Sequence, residues 1–205
     1  MHKTQEQVKA AKSIVVGGAG PTGVETAAEL AFEYGKTKEV TLITAGKELL
    51  TDCMPTNIAQ GAEATIKKMH VNVVKGVKIL SSTPAADGQT ELSLDNGEKM
   101  TVDLYLPTIG VIPNTEYVPK KLLDDKGQVI VDEFLRVKDT QDIWAAGDLT
   151  NLDFAQIIYC EKQATAAAKN LDLVLKGKEP VVYKSGGDRK SSFGPLIGTV
   201  RLTGA

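Results

Sequence analysis

Three glycines near the start of the chain have the spacing of a phosphate-binding turn. Gly18, Gly20 and Gly23 follow the pattern G-x-G-x-x-G, between a β-branched run and a helical pattern. At this spacing the first glycine permits a tight turn, the second lets a pyrophosphate approach the backbone, and the third lets the helix pack closely. We predict a dinucleotide-binding turn rather than a plain strand–helix connection, formed by Gly18, Gly20, Pro21, Thr22 and Gly23.

The end of the next predicted strand, where an adenosine ribose is usually recognised, lacks a carboxylate. An Asp or Glu there would bind the ribose 2′-hydroxyl and favour NADH, but the sequence has Thr44-Ala45-Gly46-Lys47. Lys47 could pair with a 2′-phosphate, and its alternative role is that of a solvated loop lysine. The pattern at Thr44 and Lys47 therefore favours NADPH over NADH without excluding NADH.

The elements that position these residues follow from hydrophobic periodicity. We predict a short helix over 4–12, and then a βαβ unit made of a strand over 14–16, a helix from Thr22 to a stop at Gly35 and a strand over 40–43. An amphipathic helix over 58–69 and a strand over 71–74 follow. Residues 81–88 have loop composition, and Asn96-Gly97 predicts a hairpin between 91–94 and 99–102. The predicted fold class is α/β, a Rossmann-like doubly wound nucleotide domain with a β-meander.

The second half of the chain begins after a crossover rich in glycine and proline at 107–114, so we place a domain boundary near 114–119. Extended structure is predicted over 127–137 and a short buried strand over 143–148. A long helix over 154–175 follows, and after Gly177 we predict a strand at 181–183 and a mobile stretch at 185–192. The residues expected to face inward on the long helix are Ile157, Ile158, Ala164, Ala167, Ala168 and Leu171.

Composition excludes several classes of protein. The chain has 205 residues, 42% hydrophobic and 24% charged, and its net charge of -2 argues against a nucleic-acid or polybasic membrane role. Cys53 and Cys160 make no C-x-x-C, and His2 and His70 are too few for a metal centre. The sequence contains no apolar stretch long enough to cross a membrane and no signal peptide, so we expect a cytoplasmic protein.

Three motifs in order resemble a known family. They are residues 18–25 (GAGPTGVE), 106–114 (LPTIGVIPN) and 143–148 (IWAAGD). Together they resemble the flavoprotein reductases with two dinucleotide-binding domains, and most of all the apoptosis-inducing-factor-like NAD(P)H oxidoreductases that include the ferroptosis-suppressor quinone reductases. The resemblance extends over about residues 12–175.

The resemblance implies roles for further residues. Glu25 matches a carboxylate that lies near the nicotinamide, and its alternative role is to complement the charge of a helix N-terminus. Thr108 and Gly110 match the crossover that leads back to the flavin domain. Asp148, with Gly147, matches the aspartate that hydrogen-bonds the ribityl chain of FAD, and an ordinary strand-end turn is the alternative.

The domains implied are a nucleotide domain at 12–115, a remnant of a split, FAD-type α/β domain at 116–176 and a truncated, partly mobile stub at 177–205. The resemblance implies FAD as second cofactor, but the N-terminal G-x-G-x-x-G unit of the family's flavin domain does not precede Gly18. This departure puts FAD binding in doubt. Three explanations fit this departure: the chain is a fragment, it forms a homodimer through an exposed face, or the remnant packs differently on the nucleotide domain.

Three functions remain open from the sequence. The first is an NAD(P)H-dependent flavin oxidoreductase, or part of one, that passes electrons to a quinone-like or other small acceptor. The second is a flavin-free relative that catalyses an isomerisation or cyclisation or only binds a small molecule. Its acid–base candidates would be Glu25, Tyr105, Asp148 and Tyr159. The third is a subunit that pairs with a separate FAD-domain chain.

Overall fold

The computed structural model describes residues 2–51, 54–153 and 155–186, and the backbone of 196–197 and 200–201. The chain divides into two compact units, one of residues 1–110 with 189–205 and one of residues 111–188. We call these the first and the second unit. The assignment of 12–115, 116–176 and 177–205 to a nucleotide domain, a flavin-domain remnant and a stub stays a prediction.

The first unit is built on a four-stranded parallel sheet with strand order β3-β2-β1-β7. Its helices and strands occur in the chain order α1 His2–Ala10, β1 Ser13–Gly17, α2 Pro21–Tyr34, β2 Glu39–Thr44, α3 Thr56–Lys68, β3 Asn72–Lys75, β4 Ile79–Pro84, β5 Thr90–Leu94, β6 Lys99–Val102 and β7 Leu104–Pro107. The predicted βαβ unit and the fold class, α/β with a parallel sheet, are confirmed.

The register of the sheet brings the ends of three strands to one edge. Gly17, the last residue of β1, pairs with Ile43 of β2 on one side and Pro107 of β7 on the other. The chain leaves β1 through α2 toward β2, whereas β7 arrives after the antiparallel strands, so β1 lies where the strand order reverses. Ligands of open α/β sheets bind at the carboxyl edge beside such a reversal.

Each face of the parallel sheet is covered by a different layer. Helices α2 and α3 pack on one face, where Val16, Val24 and Ile66 are fully buried. The antiparallel strands β4-β5-β6 cover the other face, where Val15 and Leu92 lie in a second cluster. Both faces are apolar, which is why the strands of the sheet read as continuous hydrophobic runs rather than alternating ones.

The hairpin predicted at Asn96-Gly97 is confirmed, but the predicted loop over 81–88 is wrong in its first half. Strand β4 continues through Pro84 and pairs with β5 from Ile79↔Leu94 to Pro84↔Thr90. Its serines and threonine are exposed, so the segment has the composition of a loop. The pairing depends on β5, which supplies the ladder of backbone hydrogen bonds.

The second unit contains helix α4 (Ile157–Leu175) and a set of isolated β-bridges. The bridges in the predicted extended segment join Val129 to Leu123 and to Thr150, and Val131 to Val137. The strand predicted over 143–148 is wrong, because within this segment only Trp144 forms a bridge, to Arg136. Leu135 and Asp139, on either side of that partner segment, have positive φ, so the chain turns before a ladder can extend.

The inward face predicted for α4 is also wrong. Its buried residues are Tyr159, Gln163 and Asn170. The side chains expected to face inward are mostly exposed, with Ile157 78% and Ile158 50% accessible, and Ala167 alone packs against the core of the second unit. Polar partners on the neighbouring loops decide the orientation of this helix, because they satisfy its buried amides.

The tail of the second unit differs from its prediction. Residues 181–183 form no strand, and Ser185 and Gly186 donate hydrogen bonds to Asp153. The rest of the predicted mobile stretch, 187–192, lies outside the described residues. Two short antiparallel strands, β8 (Leu196–Ile197) and β9 (Val200–Arg201), follow and belong to the first unit. No helix in the described part of the chain is long and apolar enough to cross a membrane.

Candidate functional site

The turn between β1 and α2 requires glycine at the first and third glycine positions of the G-x-G-x-x-G pattern. Gly18 has a φ of +105°, a conformation that side chains disfavour, and its N–H donates to the Ile43 carbonyl oxygen at 2.8 Å. A Cβ atom at Gly23 would overlap the Gly18 carbonyl oxygen and lie 2.6 Å from Thr108 Oγ1. The first turn of α2 therefore packs directly on the end of β1.

Thr108, the residue after β7, closes this turn from the other side. Its N–H donates to the Gly17 carbonyl oxygen at 2.7 Å. Its hydroxyl lies 2.9 Å from that oxygen and 3.1 Å from the Gly18 carbonyl oxygen, so it can donate to either. The resemblance implied only a crossover role for Thr108. Its part in closing the turn has no local signal, because its partners are 90 and 91 positions away.

The middle glycine has open space around it. A Cβ atom at Gly20 would meet nothing within 4 Å, and the backbone there is extended with φ −71°. Gly20 is the N-cap of α2 and no side chain caps the helix, while Pro21 occupies the first helical turn. The N–H groups of Thr22 and Gly23 thus lie at a helix N-terminus that is open to an anion.

Glu25 lies half-buried just beyond the first turn of α2, which contains no acidic residue. The favourable effect of a carboxylate on the helix dipole falls off within the first turn. Charge complementarity is therefore a weak explanation for a glutamate at this position.

The tip of β2 lies at the same carboxyl edge of the sheet. Thr44 Oγ1 accepts a hydrogen bond from the Gly46 N–H at 3.1 Å, and Lys47 is exposed in the loop that follows. The nearby Glu48 carboxylate lies 3.7 Å from Lys75 Nζ. Since Lys75 also binds Glu63 at 2.9 Å, the negative charges beside the tip are partly neutralised.

Gly110, which ends the 1–110 segment of the first unit, is exposed and has a φ of +113°. Tyr105 lies on β7, and burial raises the pKa of its phenol, which makes it a poor proton donor at neutral pH. Tyr159 is buried on α4. In the part of the chain that the structure describes, no three His, Cys, Asp or Glu side chains gather in a way that could hold a metal ion.

Gly147 and Asp148 form a turn in the second unit. Gly147 has a φ of +90°, and its N–H donates to Gln163 Oε1 at 2.8 Å. Asp148 is exposed, and its Oδ1 accepts the Cys160 thiol hydrogen at 2.8 Å. The carboxylate beside the thiol, together with burial, raises the pKa of Cys160.

A cavity of about 660 Å³ lies beside Asp148 within the second unit. Its walls are mainly apolar, with Ile112, Tyr117 and Leu149 among them, and Lys126 and Gln128 add polar groups. A carboxylate oxygen accepts more than one hydrogen bond, so Asp148 can still bind a ligand hydroxyl while it holds the thiol. The arrangement suits a ligand with an apolar body and a polyol chain.

Sequence reasoning missed two residues that hold this turn. Gln163 is 1% exposed on α4 and contacts both Gly147 and Asp153, and Asp153 in turn binds the segment 181–186. The signal that could have pointed to Gln163 is a glutamine in the middle of an alanine-rich helical run.

Comparison with models of protein families gives a match over most of the chain. The model described as pyridine nucleotide-disulphide oxidoreductase matches residues 2–169. The chain belongs to the pyridine nucleotide-disulphide oxidoreductase family. The resemblance drawn from the three sequence motifs is thereby confirmed.

Individual relatives agree with this assignment. The oxidoreductase ptaL of Pestalotiopsis fici is 45% identical over 185 residues, which cover 90% of this chain and 50% of that protein. Ferroptosis suppressor protein 1 of Xenopus tropicalis is 30% identical over 191 residues, covering 88% and 50%. Thus the chain spans about half the length of these relatives.

Among solved structures, the water-forming NADH oxidase of Lactobacillus brevis, bound to NADH, superposes with a TM-score of 0.75. It is 26% identical, and the match covers 88% of this chain and 40% of the oxidase. The family fold seen in the first unit is therefore shared with a protein that binds a nicotinamide nucleotide.

Proposed function

We propose that this chain binds NADPH or NADH at the turn between β1 and α2 and supplies the nicotinamide-nucleotide site of an FAD-dependent oxidoreductase. The observation that carries the proposal is the different surroundings of the three glycines. Gly18 and Gly23 are needed by the fold, whereas Gly20 faces open space at an uncapped helix N-terminus. A glycine that the fold does not need, placed where an anion would lie, suits a pyrophosphate.

Specific residues have defined parts in this proposal. The N–H groups of Thr22 and Gly23 bind the pyrophosphate, and Pro21 has no N–H to lose at the first helical position. Thr44 and Lys47 face the adenosine ribose at the tip of β2, and Lys47 favours a 2′-phosphate. Glu25 orients the nicotinamide from the second turn of α2.

The flavin part of the proposal rests on the second unit. There Asp148 accepts a hydrogen bond from the ribityl chain, Gly147 allows the turn, and the apolar cavity walls exclude water from the ring system. Gly110 lies in the crossover that joins the two units. When bound, NAD(P)H would supply a hydride and FAD would supply the electron carrier for a quinone-like or other small acceptor, while the residues named here would hold the two cofactors.

The nucleotide site is tested by Gly20→Ala with Gly61→Ala as a matched control. Both glycines have room for a methyl group and neither has a positive φ, so both variants should fold. The new methyl at position 20 would block the approach of a pyrophosphate, and we expect NADPH and NADH to bind at least about tenfold more weakly. The measurement is isothermal titration calorimetry with each nucleotide.

We expect Gly61→Ala to bind both nucleotides like the original chain, since its added methyl group would meet nothing within 4 Å. The unaltered chain should bind NADPH more tightly than NADH. Equal nucleotide affinity in Gly20→Ala and the original chain would contradict the site. The flavin step is tested separately, by visible absorption after addition of FAD and by NADPH oxidation with FAD and a quinone.

A further inference from the structure

Asp153 is the acceptor for four hydrogen-bond donors. Its Oδ2 atom accepts from Gln163 Nε2 at 2.8 Å and from the Tyr183 hydroxyl at 2.7 Å. Its Oδ1 atom accepts from the Ser185 hydroxyl at 2.6 Å and from the Gly186 N–H at 2.9 Å. Burial alone would raise the pKa of Asp153, but these donors hold it below its ordinary value. Three of the four donors come from the segment 181–186.

Gln163 connects Asp153 to the Gly147–Asp148 turn. Its Nε2 donates to Asp153, and its Oε1 accepts from the Gly147 N–H at 2.8 Å and lies 2.9 Å from Thr150 Oγ1. The two ends of an amide are not interchangeable, because one donates and the other accepts. The carboxylate of Asp153 therefore determines that the oxygen of Gln163 faces the turn.

The segment 181–186 is fastened at other points as well. Asn170 Nδ2 donates to the Val181 carbonyl oxygen and its Oδ1 accepts the Val181 N–H, both at 2.8 Å. The Tyr183 N–H donates to the Glu133 carbonyl oxygen at 2.7 Å. Gly186 lies so close to the buried Tyr159 ring that an added Cβ atom would overlap it. The segment thus has one defined docked position.

We propose that the docked segment 181–186 positions the Gly147–Asp148 turn through Asp153 and Gln163, which act as positioning residues of the candidate flavin site. The role of the turn rests on the proposed function, whereas the coupling is a property of the fold. If the segment leaves, Asp153 keeps one donor of four. A part-buried carboxylate with a single hydrogen-bond donor raises the free energy of the folded chain. Asp153 and Gln163 therefore rearrange, and the Gly147 N–H loses its acceptor.

The turn and the segment each carry a reporter. Cys160 contacts Asp148, so the rate at which iodoacetamide alkylates its thiol reports on the turn. Lys184 is exposed between the two anchored residues Tyr183 and Ser185, so trypsin cleavage there reports on release of the segment. The chain has two cysteines, and Cys53→Ser leaves Cys160 as the only thiol.

The test variant is Gly186→Ala in the Cys53→Ser background, because its methyl group prevents docking against Tyr159 without touching the turn. We expect trypsin to cleave faster at Lys184. Iodoacetamide should alkylate Cys160 roughly tenfold faster across a pH series, which is the effect expected when one charged hydrogen bond is lost. The midpoint of the pH profile of Cys160 alkylation should move to lower pH, because Asp148 no longer accepts the thiol hydrogen. Val182→Ala, on the same segment but without a bond to Asp153, should leave both readouts unchanged.

Cleavage at Lys184 without any change in the Cys160 profile would overturn the coupling, and so would unchanged cleavage. If Gly186→Ala does not fold, the pair Tyr183→Phe and Ser185→Ala removes two donors to Asp153 and is read in the same way. A shifted thiol profile in a chain that binds no FAD would uphold the coupling and overturn the flavin part of the proposed function.

Discussion

At the scale of single residues, Asp103 fastens the start of the parallel sheet. Its Oδ2 accepts the N–H groups of Lys12 and Ser13 at 2.8 and 2.9 Å, and its Oδ1 accepts from Gln89 Nε2 at 2.8 Å. These donors, Gln89 first, hold the pKa of Asp103 well below its usual range. The carboxylate thus joins the beginning of β1 to the corner between β6 and β7.

We expect Asp103→Asn to lower the free energy of unfolding at pH 7 by about 1 kcal/mol, the difference between charged and neutral hydrogen bonds at a partly exposed site. A lowered pKa in the folded state stabilises the protein above the unfolded pKa, which is about 4 for Asp. The difference between the two proteins should therefore shrink as the pH falls below about 4.

Urea denaturation at pH 7, 5 and 3 measures this effect. Asp87→Asn is the control, because Asp87 is exposed in a short turn that tolerates positive φ for either residue. A difference between Asp103→Asn and the original chain that stays constant down to pH 3 would show that the charge of Asp103 is unimportant.

At the scale of elements, α4 presents amides to the core and aliphatic side chains to the surface. Asn170 is 1% exposed and binds the Phe134 carbonyl oxygen as well as both backbone groups of Val181. The next residue, Leu171, is 41% exposed. Hydrophobicity alone would assign these two residues the opposite roles.

We expect Asn170→Ala to lower the free energy of unfolding by about 2 kcal/mol, because three part-buried hydrogen bonds to backbone groups of Phe134 and Val181 are lost. Leu171→Ala should change it by less than about 0.5 kcal/mol, as for an ordinary surface position. Trp144, the single tryptophan, packs against the core of the second unit, so its fluorescence follows unfolding there. If Leu171→Ala lowers the free energy of unfolding more than Asn170→Ala does, the result would support the buried face of α4 that the sequence predicts.

At the scale of the whole molecule, a nearly neutral chain exposes large apolar side chains. The net charge is -2, and Val111 and Ile112 are 84% and 93% exposed beside the cavity that Asp148 borders. Contiguous apolar surface of this kind commonly marks a binding site or an interface. The walls of this cavity are mainly apolar, so an aromatic dye should bind there.

The double change Val111→Ser and Ile112→Ser should therefore reduce the fluorescence of added anilinonaphthalene sulfonate without altering the circular dichroism spectrum. Leu175→Ser, which removes an equally exposed side chain at the end of α4, is the control and should leave dye binding in the cavity intact. If the control reduces the fluorescence as much as the double change does, the dye does not report on this cavity.

Much of the first unit could be predicted from the sequence. The helix that ends before Gly35 and the Asn96-Gly97 hairpin depend on contacts within a few residues, so turn chemistry specifies them, and the glycine turn is recognised from the spacing of its glycines. The same reasoning selected Gly18, Gly20 and Gly23, whose role in nucleotide binding stays a prediction.

Only the tertiary structure decided the features that depend on distant partners. Strand β4 has a loop-like composition and pairs because β5 lies beside it, and Thr108 closes a turn 90 positions away. Gln163 and Asn170 are buried on α4 because loops supply their hydrogen-bond partners. A polar side chain can be buried only where hydrogen-bond partners are available to it. Hydrophobic periodicity reflects the polarity of the residues of α4 but contains no information on those distant partners. For that reason it predicted the wrong buried face for this helix.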